Sequence, residues 1–267
     1  MPVPIFVINL DRSADRLANI TQTFGQARMP FTRWPAVDGT SVPEPLRRYF
    51  SDKYPLSPGE MGCYASHIAI WKHMVAHHIG VALICEDDIA LPEDFAATLG
   101  NILVAAASGW EVIKLSSSSQ RAICPLRSVD QRHRLVRYWR IPMFTGAYLL
   151  SLVGARKLLA FKGPRHAVDG DMARPWHFAN LDVLGVAPAP IVQHRDSSII
   201  AQLGGHGLAK RRVRWRISCE RASRAHYNLQ SMGLKNWWRC LVADHGVRRY
   251  LQPSAIRVAT PTQKNVG

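Results

Sequence analysis

Three consecutive carboxylates, Glu86, Asp87 and Asp88, are the residues of this chain most able to do chemistry, and they end an apolar run at residues 81–85. A run of that length, closed by acids, predicts a strand that is buried on both faces and carries the acids at its carboxyl end. Ligands bind outside the carboxyl ends of strands in open α/β sheets, and adjacent carboxylates repel one another unless a cation neutralises them. Oxygen ligands of this kind suit Mg²⁺ or Mn²⁺. The same residues are equally compatible with a solvated acidic turn that begins the next helix.

A second pair of acids, Asp169 and Asp171, follows a turn that contains proline and glycine. Either carboxylate could act as a general base or as a second metal contact. Without further context the pattern favours a structural role for both, as caps of a short helix that runs to about residue 178.

Cationic side chains near the amino terminus could meet a phosphate group. Arg12 and Arg16 follow an apolar strand at residues 5–10 and lie at the start of a helix that Ser13 could cap. A solvated helix turn would explain the same arginines. His67, in the middle of a predicted helix, is either a catalytic group or a hydrogen-bonded histidine of the core.

The elements that must position these residues alternate between strand and helix. A capping box at Ser57 and Glu60, with Pro58 at the first helical position, predicts a helix over residues 58–76. Other helices are expected at residues 13–26, 93–107 and 153–161. Further strands are expected at residues 31–37, 111–115, 134–138, 146–151 and 182–187, with an irregular loop at residues 40–56. This order predicts a three-layer α/β domain with a partly antiparallel sheet.

The charge of the chain is unevenly distributed. The 267 residues carry a formal net charge of +15, of which residues 204–267 hold +11, with 13 Lys and Arg against two acids. A basic tail of this kind indicates an anionic surface, either acidic lipid headgroups or nucleic acid. The five cysteines include no Cys-x-x-Cys pair, which indicates neither a disulfide framework nor a zinc site and favours a reducing compartment. We expect no signal peptide, and no apolar window reaches the length of a membrane span.

Several motifs occur together and in a fixed order. They are residues 7–12 with Arg16, then 35–39, 56–67, 84–89, 146–151 and 168–169, and finally Gln193 with residues 198–199. In this order they resemble glycosyltransferase family 25, the lipooligosaccharide galactosyltransferases of bacteria, which are related to the collagen galactosyltransferases. The resemblance covers about residues 3–200.

The resemblance implies a fold of the GT-A type, a three-layer α/β/α arrangement around a mixed, mostly parallel sheet. It also implies an inverting transfer of galactose from UDP-galactose, assisted by Mn²⁺ or Mg²⁺. Glu86 and Asp88 match the metal motif, with Asp88 expected on the cation and Glu86 nearer the ribose or a metal-bound water. Asp169 matches the family's base, although Asp171 is a second candidate. On the donor side the resemblance implies the following residues: Asn9, Asp11, Arg12, Arg16, Asp38, Ser66, His67, Glu86 and Asp87.

The basic tail lies beyond the resemblance and divides the chain into a catalytic domain at residues 1–203 and a helical extension at residues 204–267. Apolar stripes at helical spacing, interleaved with arginines, occur at residues 208–222 and 234–242. Such helices suit the headgroup zone of an anionic membrane, and they could equally pack on the catalytic domain. A lipid-linked or other glycan acceptor would place the protein in the cytoplasm, on the inner membrane's cytoplasmic face. Nucleic-acid binding is not expected, because no nucleic-acid-binding motif accompanies the charge. The sequence does not predict the oligomeric state.

Overall fold

A computed structural model describes residues 3–116, 119, 121–161, 163–193 and 214–244 of the chain. The strands are β1 (Ile5–Asn9), β2 (Thr32–Pro35), β3 (Val81–Glu86), β4 (Ile89–Ala90), β5 (Val112–Lys114), β6 (Ile123–Ser128), β7 (Arg134–Tyr138), β8 (Ala147–Ser151), β9 (Val183–Ala187) and β10 (Val192–Gln193). The helices are α1 (Ala14–Gln26), α2 (Glu44–Arg47), α3 (Pro58–Ala76), α4 (Phe95–Ala106), α5 (Leu152–Ala160), α6 (Val168–Met172) and α7 (Arg214–Asp244), with a 3₁₀ turn at Pro175–His177.

Eight strands form one mixed sheet in the order β2-β1-β3-β8-β5-β9-β7-β6. Only β8 and β7 run against the direction of the other six, as their antiparallel pairings require. The chain passes from β1 to β2 on one side and then to β3 on the other, with both pairings parallel. The connections therefore diverge between β1 and β3, which is where open α/β sheets bind ligands at the carboxyl ends of their strands.

Two apolar cores cover the two faces of the sheet, because successive side chains of a strand point to opposite faces. Val7 and Cys85 join helices α1 and α4 on one face, whereas Ile8 and Ile84 join α3 and α5 on the other. The buried strand predicted at residues 81–85 is β3, whose four central residues are buried. The expected three-layer α/β architecture is confirmed.

The start of α3 shows how local sequence sets an element. The Ser57 hydroxyl accepts from the Glu60 amide at 3.3 Å, and the Glu60 carboxylate accepts from the Ser57 amide at 2.9 Å. This capping box satisfies two amides that would otherwise lack partners at the helix start. At α1 the expectation of a side-chain cap is wrong. The Ser13 side chain makes no cap hydrogen bond, and instead its carbonyl oxygen accepts from the Asn9 side chain at 3.1 Å.

The carboxyl-terminal helix α7 packs on the body through part of its surface. The Tyr227 hydroxyl donates to Leu181 O at 3.0 Å, and Asn228 Nδ2 donates to Trp139 O at 3.0 Å. Met232 and Cys240 form a small third core with Cys124 and Trp139. Gly233, with φ at 74°, divides the helix into two segments, and the second apolar stripe, at residues 234–242, lies on the second segment.

Some sequence predictions fall outside the described residues. These are the domain boundary at 203/204, the motif at residues 198–199, and the parts of the tail at residues 204–213 and 245–267. Among the residues that the structure does describe, no helix combines the length and apolar character needed to cross a membrane.

Candidate active site

A cavity of about 320 Å³ lies at the carboxyl ends of β1 and β3, where the connections of the sheet diverge. Its walls come from the end of β1, the start of α1, the loop at residues 36–40, the first turns of α3 and the three acids that follow β3. A cavity of this volume is at the lower end of the range that holds small ligands.

The three acids point in two directions. Gln193 Nε2 donates to Glu86 Oε2 at 3.3 Å and to Asp88 Oδ1 at 3.2 Å, so the carboxylates of Glu86 and Asp88 converge on one point. Asp87 turns away and accepts from Asn9 Nδ2 at 2.7 Å and from Arg16 at 2.9 Å. Arg16 also lies 3.3 Å from Asp88. Alternation along the strand predicts one side for Glu86 and Asp88, and both do contact Gln193, although Asp87 and Asp88 lie in the turn after β3.

The acids differ in their proton affinity because their surroundings differ. Burial raises the pKa of Asp88 to about 7, and the neighbouring charge of Glu86 adds to that rise. Burial also raises the pKa of Asp87, although Arg16 and Asn9 oppose it. Burial alone would raise the pKa of Glu86 too, but His67 and Thr145 outweigh it and lower the pKa. Glu86 therefore holds its negative charge most firmly of the three, and its charge is one reason why Asp88 binds a proton more readily.

A chain of buried polar groups supports Glu86 from behind. Trp71 Nε1 donates to the Tyr148 hydroxyl at 3.0 Å, and that hydroxyl lies 2.9 Å from His67 Nδ1. His67 Nε2 is 3.6 Å from Glu86 Oε1, which also accepts from the Thr145 hydroxyl at 2.6 Å. His67 is fully buried and does not line the cavity. The contacts of His67 support Glu86. That His67 contributes to donor binding stays a prediction.

The wall formed by the start of α1 and the loop at residues 36–40 carries an ion pair. Arg12 lies 2.7 Å from Asp38, whose Oδ1 accepts from the amide and the hydroxyl of Thr40 at 2.9 and 2.7 Å. These two Thr40 bonds, followed by Arg12, lower the pKa of Asp38 to about 2. Asp38 is therefore held ionised, and it fixes the loop against which a ligand would lie.

Two glycines allow this loop to approach α3. A Cβ on Gly39 would lie 1.6 Å from Pro58 O, and a Cβ on Gly62 would lie 2.5 Å from Val37 O. The Ser66 hydroxyl completes the contact, because it accepts from the Val37 amide at 2.8 Å and donates to Gly62 O at 2.7 Å. Ser66 thus lines the cavity while its hydroxyl hydrogen-bonds the backbone.

Asn9 and Asp11 lie behind and beside the cavity and do not line it. Asn9 is buried, and its side chain joins Asp87 to Arg33, since Arg33 Nε donates to Asn9 Oδ1 at 3.0 Å. The side chain of Asp11 is 82% exposed and pairs with Arg33. Both residues were assigned to the donor by resemblance. The structure gives Asn9 a supporting position and Asp11 a position outside the cavity.

The second acid pair divides into one buried and one accessible carboxylate. Asp171 is fully buried, and its carboxylate accepts from the Arg165 amide at 2.9 Å and lies 2.8 Å from His166 Nδ1. Asp169, two residues earlier on α6, is partly exposed, and Asp169 Oδ1 accepts from the Gly170 amide at 2.6 Å. The contacts of Asp171 hold the turn that precedes α6. The capping role that the sequence also allowed is not what the structure shows, because α6 ends at Met172, its N-cap residue is Ala167 and no side-chain hydrogen bond caps it.

A buried lysine lies within electrostatic reach of both groups of acids. Lys114 is 2% exposed, and its Nζ donates to Pro142 O at 2.7 Å. Burial lowers the pKa of Lys114 to about 8, although the charges of Asp169 and Glu86 oppose that shift. Those opposing effects place Lys114 within electrostatic reach of both carboxylates.

Comparison with known proteins places this chain in a family. The sequence pattern described as "Glycosyltransferase family 25 (LPS biosynthesis protein)" matches residues 3–172, which is well over half of the chain. This chain belongs to glycosyltransferase family 25.

Relatives of this family 25 chain include three named proteins. It is 30% identical over 173 residues to procollagen galactosyltransferase 1 of Danio rerio, covering 58% of this chain and 28% of that protein. It is 28% identical over 216 residues to a glycosyltransferase 25 family member of Aedes aegypti, covering 70% and 35%. It is also 28% identical over 176 residues to the probable inactive glycosyltransferase 25 family member 3 of Rattus norvegicus, covering 58% and 29%. The matched segment spans about a third of the length of these relatives.

The structure adds residues to the family 25 site that the sequence pattern did not assign. Thr145 and Lys114 contact or face the acids from strands or loops far along the chain. Lys114 is the only charged residue of β5, and a charged residue in an otherwise apolar strand is the feature of the sequence that could have indicated its role. Gln193 belongs to the resemblance, but the resemblance gave it no role. Its position beside Glu86 and Asp88 depends on a strand pairing that the sequence does not reveal.

Proposed function

We propose that this family 25 chain is a glycosyltransferase that transfers a sugar from a nucleotide-sugar donor to a hydroxyl group of a glycan acceptor. The observation that carries the proposal is the convergence of the Glu86 and Asp88 carboxylates beside a cavity that also contains Arg12 and Arg16. Carboxylates for a divalent cation and guanidinium groups for phosphate are the two requirements of a bound nucleoside diphosphate.

UDP-galactose is the donor in this proposal, and a lipooligosaccharide is the acceptor. Support for galactose comes from the relative named procollagen galactosyltransferase 1. Support for the acceptor comes from the family description, which names LPS biosynthesis.

The cation of this proposal is Mn²⁺ or Mg²⁺, held by Glu86 and Asp88. The donor set fits such an ion, because both carboxylates offer hard oxygens, and the amide beside them, that of Gln193, has a buried oxygen without a partner among the described residues. When bound, the cation would stabilise the negative charge that develops on the departing diphosphate.

A softer set of potential ligands overlaps this site. Ligand-type atoms of Cys63, His67 and Glu86 lie within 4.8 Å of one another. Burial and then the charge of Glu86 raise the pKa of the Cys63 thiol well above its ordinary value. Metals bind the thiolate, so a metal at this softer set would have to displace the thiol proton of Cys63, which costs more here than at an ordinary cysteine.

Asp169 is the general base of the proposed reaction. It accepts the proton of the acceptor hydroxyl as that oxygen attacks the sugar carbon, while the bond between that carbon and the diphosphate breaks and its electron pair leaves with the diphosphate. A single displacement of this kind inverts the configuration at the sugar carbon. The partial exposure of Asp169 supports its role, whereas the buried contacts of Asp171 support a structural one.

A panel of sugar nucleotides, incubated with the purified protein, tests the function directly. We expect UDP release that requires Mn²⁺ or Mg²⁺ and is fastest with UDP-galactose. Asp88→Asn should abolish cation-dependent turnover and leave the fold intact, while Asp52→Asn, which removes an exposed acid outside the cavity, should retain it. If turnover with Mn²⁺ survives in Asp88→Asn, the acids have been misassigned. Donor binding without UDP release would instead identify a sugar-nucleotide-binding protein, and binding of nucleic acid alone would identify a nucleic-acid-binding protein.

We further propose that the second segment of α7 contacts an anionic membrane that carries the acceptor. Leu234 and Trp238 are 70% and 60% exposed, and the neighbouring Lys235 and Arg239 are exposed too. Apolar and basic side chains on one helical surface suit the headgroup zone of such a membrane. Trp237, in contrast, packs against Trp139 with ring centroids 6.0 Å apart. The proposed location remains the cytoplasmic face of the inner membrane.

A further inference from the structure

Gln193 reaches the acidic cluster through a small sheet of its own. Strand β10 pairs with β4 in antiparallel register, and Gln193 lies opposite Ile89. Because β4 begins directly after Asp88, this pairing brings an amide side chain beside the carboxylates across 105 residues of sequence.

The amide nitrogen of Gln193 occupies the point where the carboxylates converge. Nε2 lies 3.3 Å from Glu86 Oε2 and 3.2 and 3.3 Å from the two oxygens of Asp88. Three carboxylate oxygens around one position form a site for positive charge, and the two N–H groups provide only partial positive charge. The nitrogen therefore lies next to the space in which the same oxygens would attract a divalent cation.

The other end of the amide is buried without a partner. Gln193 Oε1 has no hydrogen-bond partner among the described residues. It lies against Gly146, where a Cβ would be only 2.5 Å from Oε1 and 2.6 Å from Cδ. Gly146 O also accepts from the Glu86 amide at 2.8 Å. The absence of a side chain at position 146 thus makes room for the amide next to the acids.

A half-turn of this amide would exchange its oxygen and nitrogen without moving the rest of the side chain. Because Oε1 over Gly146 has no partner among the described residues, the contacts at the carboxylate end decide which orientation is stable. Hydrogens facing the carboxylates are favourable without a cation, because oxygen facing oxygen repels. With a cation between them, an amide oxygen becomes a third hard ligand.

We propose that Gln193 is a reserve ligand of the cation site. Its Nε2 holds Glu86 and Asp88 together without a cation, and its Oε1 turns to bind a divalent cation. This inference rests on the proposed function, because it requires a cation at these acids.

Cation affinity, measured without donor or turnover, tests the inference. Free Mn²⁺ can be followed by electron paramagnetic resonance as the purified protein is titrated. We expect Gln193→Leu to bind Mn²⁺ about 10–100-fold more weakly than the unmodified chain, the range seen when groups around a metal site are lost. Gln22→Leu, which alters an exposed glutamine on α1, should leave the affinity unchanged.

A second substitution has the opposite expected sign. Gln193→Glu places a carboxylate oxygen at both ends of the group, so it should bind Mn²⁺ more tightly. It should also unfold at a lower temperature in chelator and gain more stability than the unmodified chain when Mn²⁺ is added. This comparison keeps the test decisive even if Gln193→Leu folds poorly.

The outcomes separate the inference from the proposed function. If Asp88→Asn loses Mn²⁺ binding while Gln193→Leu and Gln193→Glu bind as the unmodified chain does, the cation site stands and the role of Gln193 is refuted. If Asp88→Asn itself binds Mn²⁺ normally, the cation site of the proposed function fails as well.

Discussion

Neighbouring acids in this protein have different environments, and Asp169 and Asp171 show this most clearly. We predict that Asp169→Asn lowers turnover by on the order of 10²-fold or more, since it removes the proposed base. Its thermal stability and its affinity for the donor should remain close to those of the unmodified chain. Steady-state kinetics and donor titration, run on the same preparation, measure both effects.

Asp171→Asn should instead lower the stability of the fold and change turnover little. This buried carboxylate accepts from the Arg165 amide and pairs with His166, so its loss should destabilise the fold by about 1–3 kcal/mol. Turnover per folded molecule should change by only a few-fold. A large loss of turnover in Asp171→Asn, with unaltered stability, would exchange the roles assigned to the two acids.

Lys114 gives a prediction for the pH dependence of stability. Its pKa is lowered from 10.5 to about 8 by burial, so between these values the unfolded chain binds more protons than the folded one. Stability from this group therefore rises with pH across that window, by about 1.4 kcal/mol per pH unit. The penalty for burying the charged lysine is fully present below pH 8.

Lys114→Met removes this dependence. As pH rises above 8, the unmodified chain should gain about 1.4 kcal/mol of stability per pH unit relative to Lys114→Met. Urea denaturation in the presence of chelator measures the difference. Losing the bond to Pro142 O adds an offset that does not vary with pH. Parallel stability curves for the two proteins would show that Lys114 does not titrate in this window.

At the level of elements, the packing of α3 against the loop at residues 36–40 sets the cavity wall. Gly62→Ala would place a Cβ 2.5 Å from Val37 O and 2.7 Å from Gly39 N, both of which are backbone atoms. We predict a loss of about 1–3 kcal/mol in stability and weaker donor binding, because the loop must move.

Gly100→Ala is the matched control for that substitution. Gly100 lies on the exposed surface of α4, and a Cβ there would meet nothing within 4 Å. Alanine should therefore stabilise the helix by about 0.5–1 kcal/mol. Equal effects of the two substitutions would argue against close packing at Gly62.

Helices and strands whose own residues determine their start or their alternation could be predicted from the sequence. The capping box and Pro58 mark the start of α3, and its observed bounds, Pro58–Ala76, match the prediction. The alternating residues of β7 likewise predict Arg134–Tyr138. Strand β6 was not predicted, because Pro125 interrupts it and most of its residues are exposed at the edge of the sheet.

Contacts between distant elements could not be predicted in the same way. Strands β4 and β10 have two residues each, so they exist only through their pairing with each other. The sequence therefore places Glu86 and Asp88 at a strand end but cannot place Gln193 beside them. The burial of Asp171 depends in the same way on the fold of the turn before α6.

At the level of the whole molecule, the exposed surface of α7 predicts membrane binding. The protein should cosediment with vesicles that contain phosphatidylglycerol, less with phosphatidylcholine alone, and less as salt is raised, since each basic residue contributes about 1 kcal/mol near an anionic surface. Replacing both Leu234 and Trp238 by Ser should reduce binding by about tenfold, with part of the basic charge left to act. These substitutions are preferable to removing the tail, which would uncover Trp139 and Cys124.

A matched pair of substitutions controls for general loss of apolar surface. Val104 and Val153 are 83% and 55% exposed on α4 and α5, and replacing both by Ser should leave vesicle binding unchanged. Binding that is equal for neutral and anionic vesicles, or that falls equally in both double variants, would refute a membrane contact through α7.

The residues of the acidic cluster and its partners are made at different times during synthesis, because they lie far apart in the sequence. Asp88 leaves the ribosome 105 residues before Gln193, which at about 5–20 residues per second is an interval of roughly 5–20 s. Strand β8, the neighbour of β3, emerges within that interval. Asn9, Arg16 and His67, made earlier, are described partners that can meet the acids from the start. A nascent chain therefore carries an incomplete cluster, and the proposed catalyst cannot act on donor until the last strands of its body have been made.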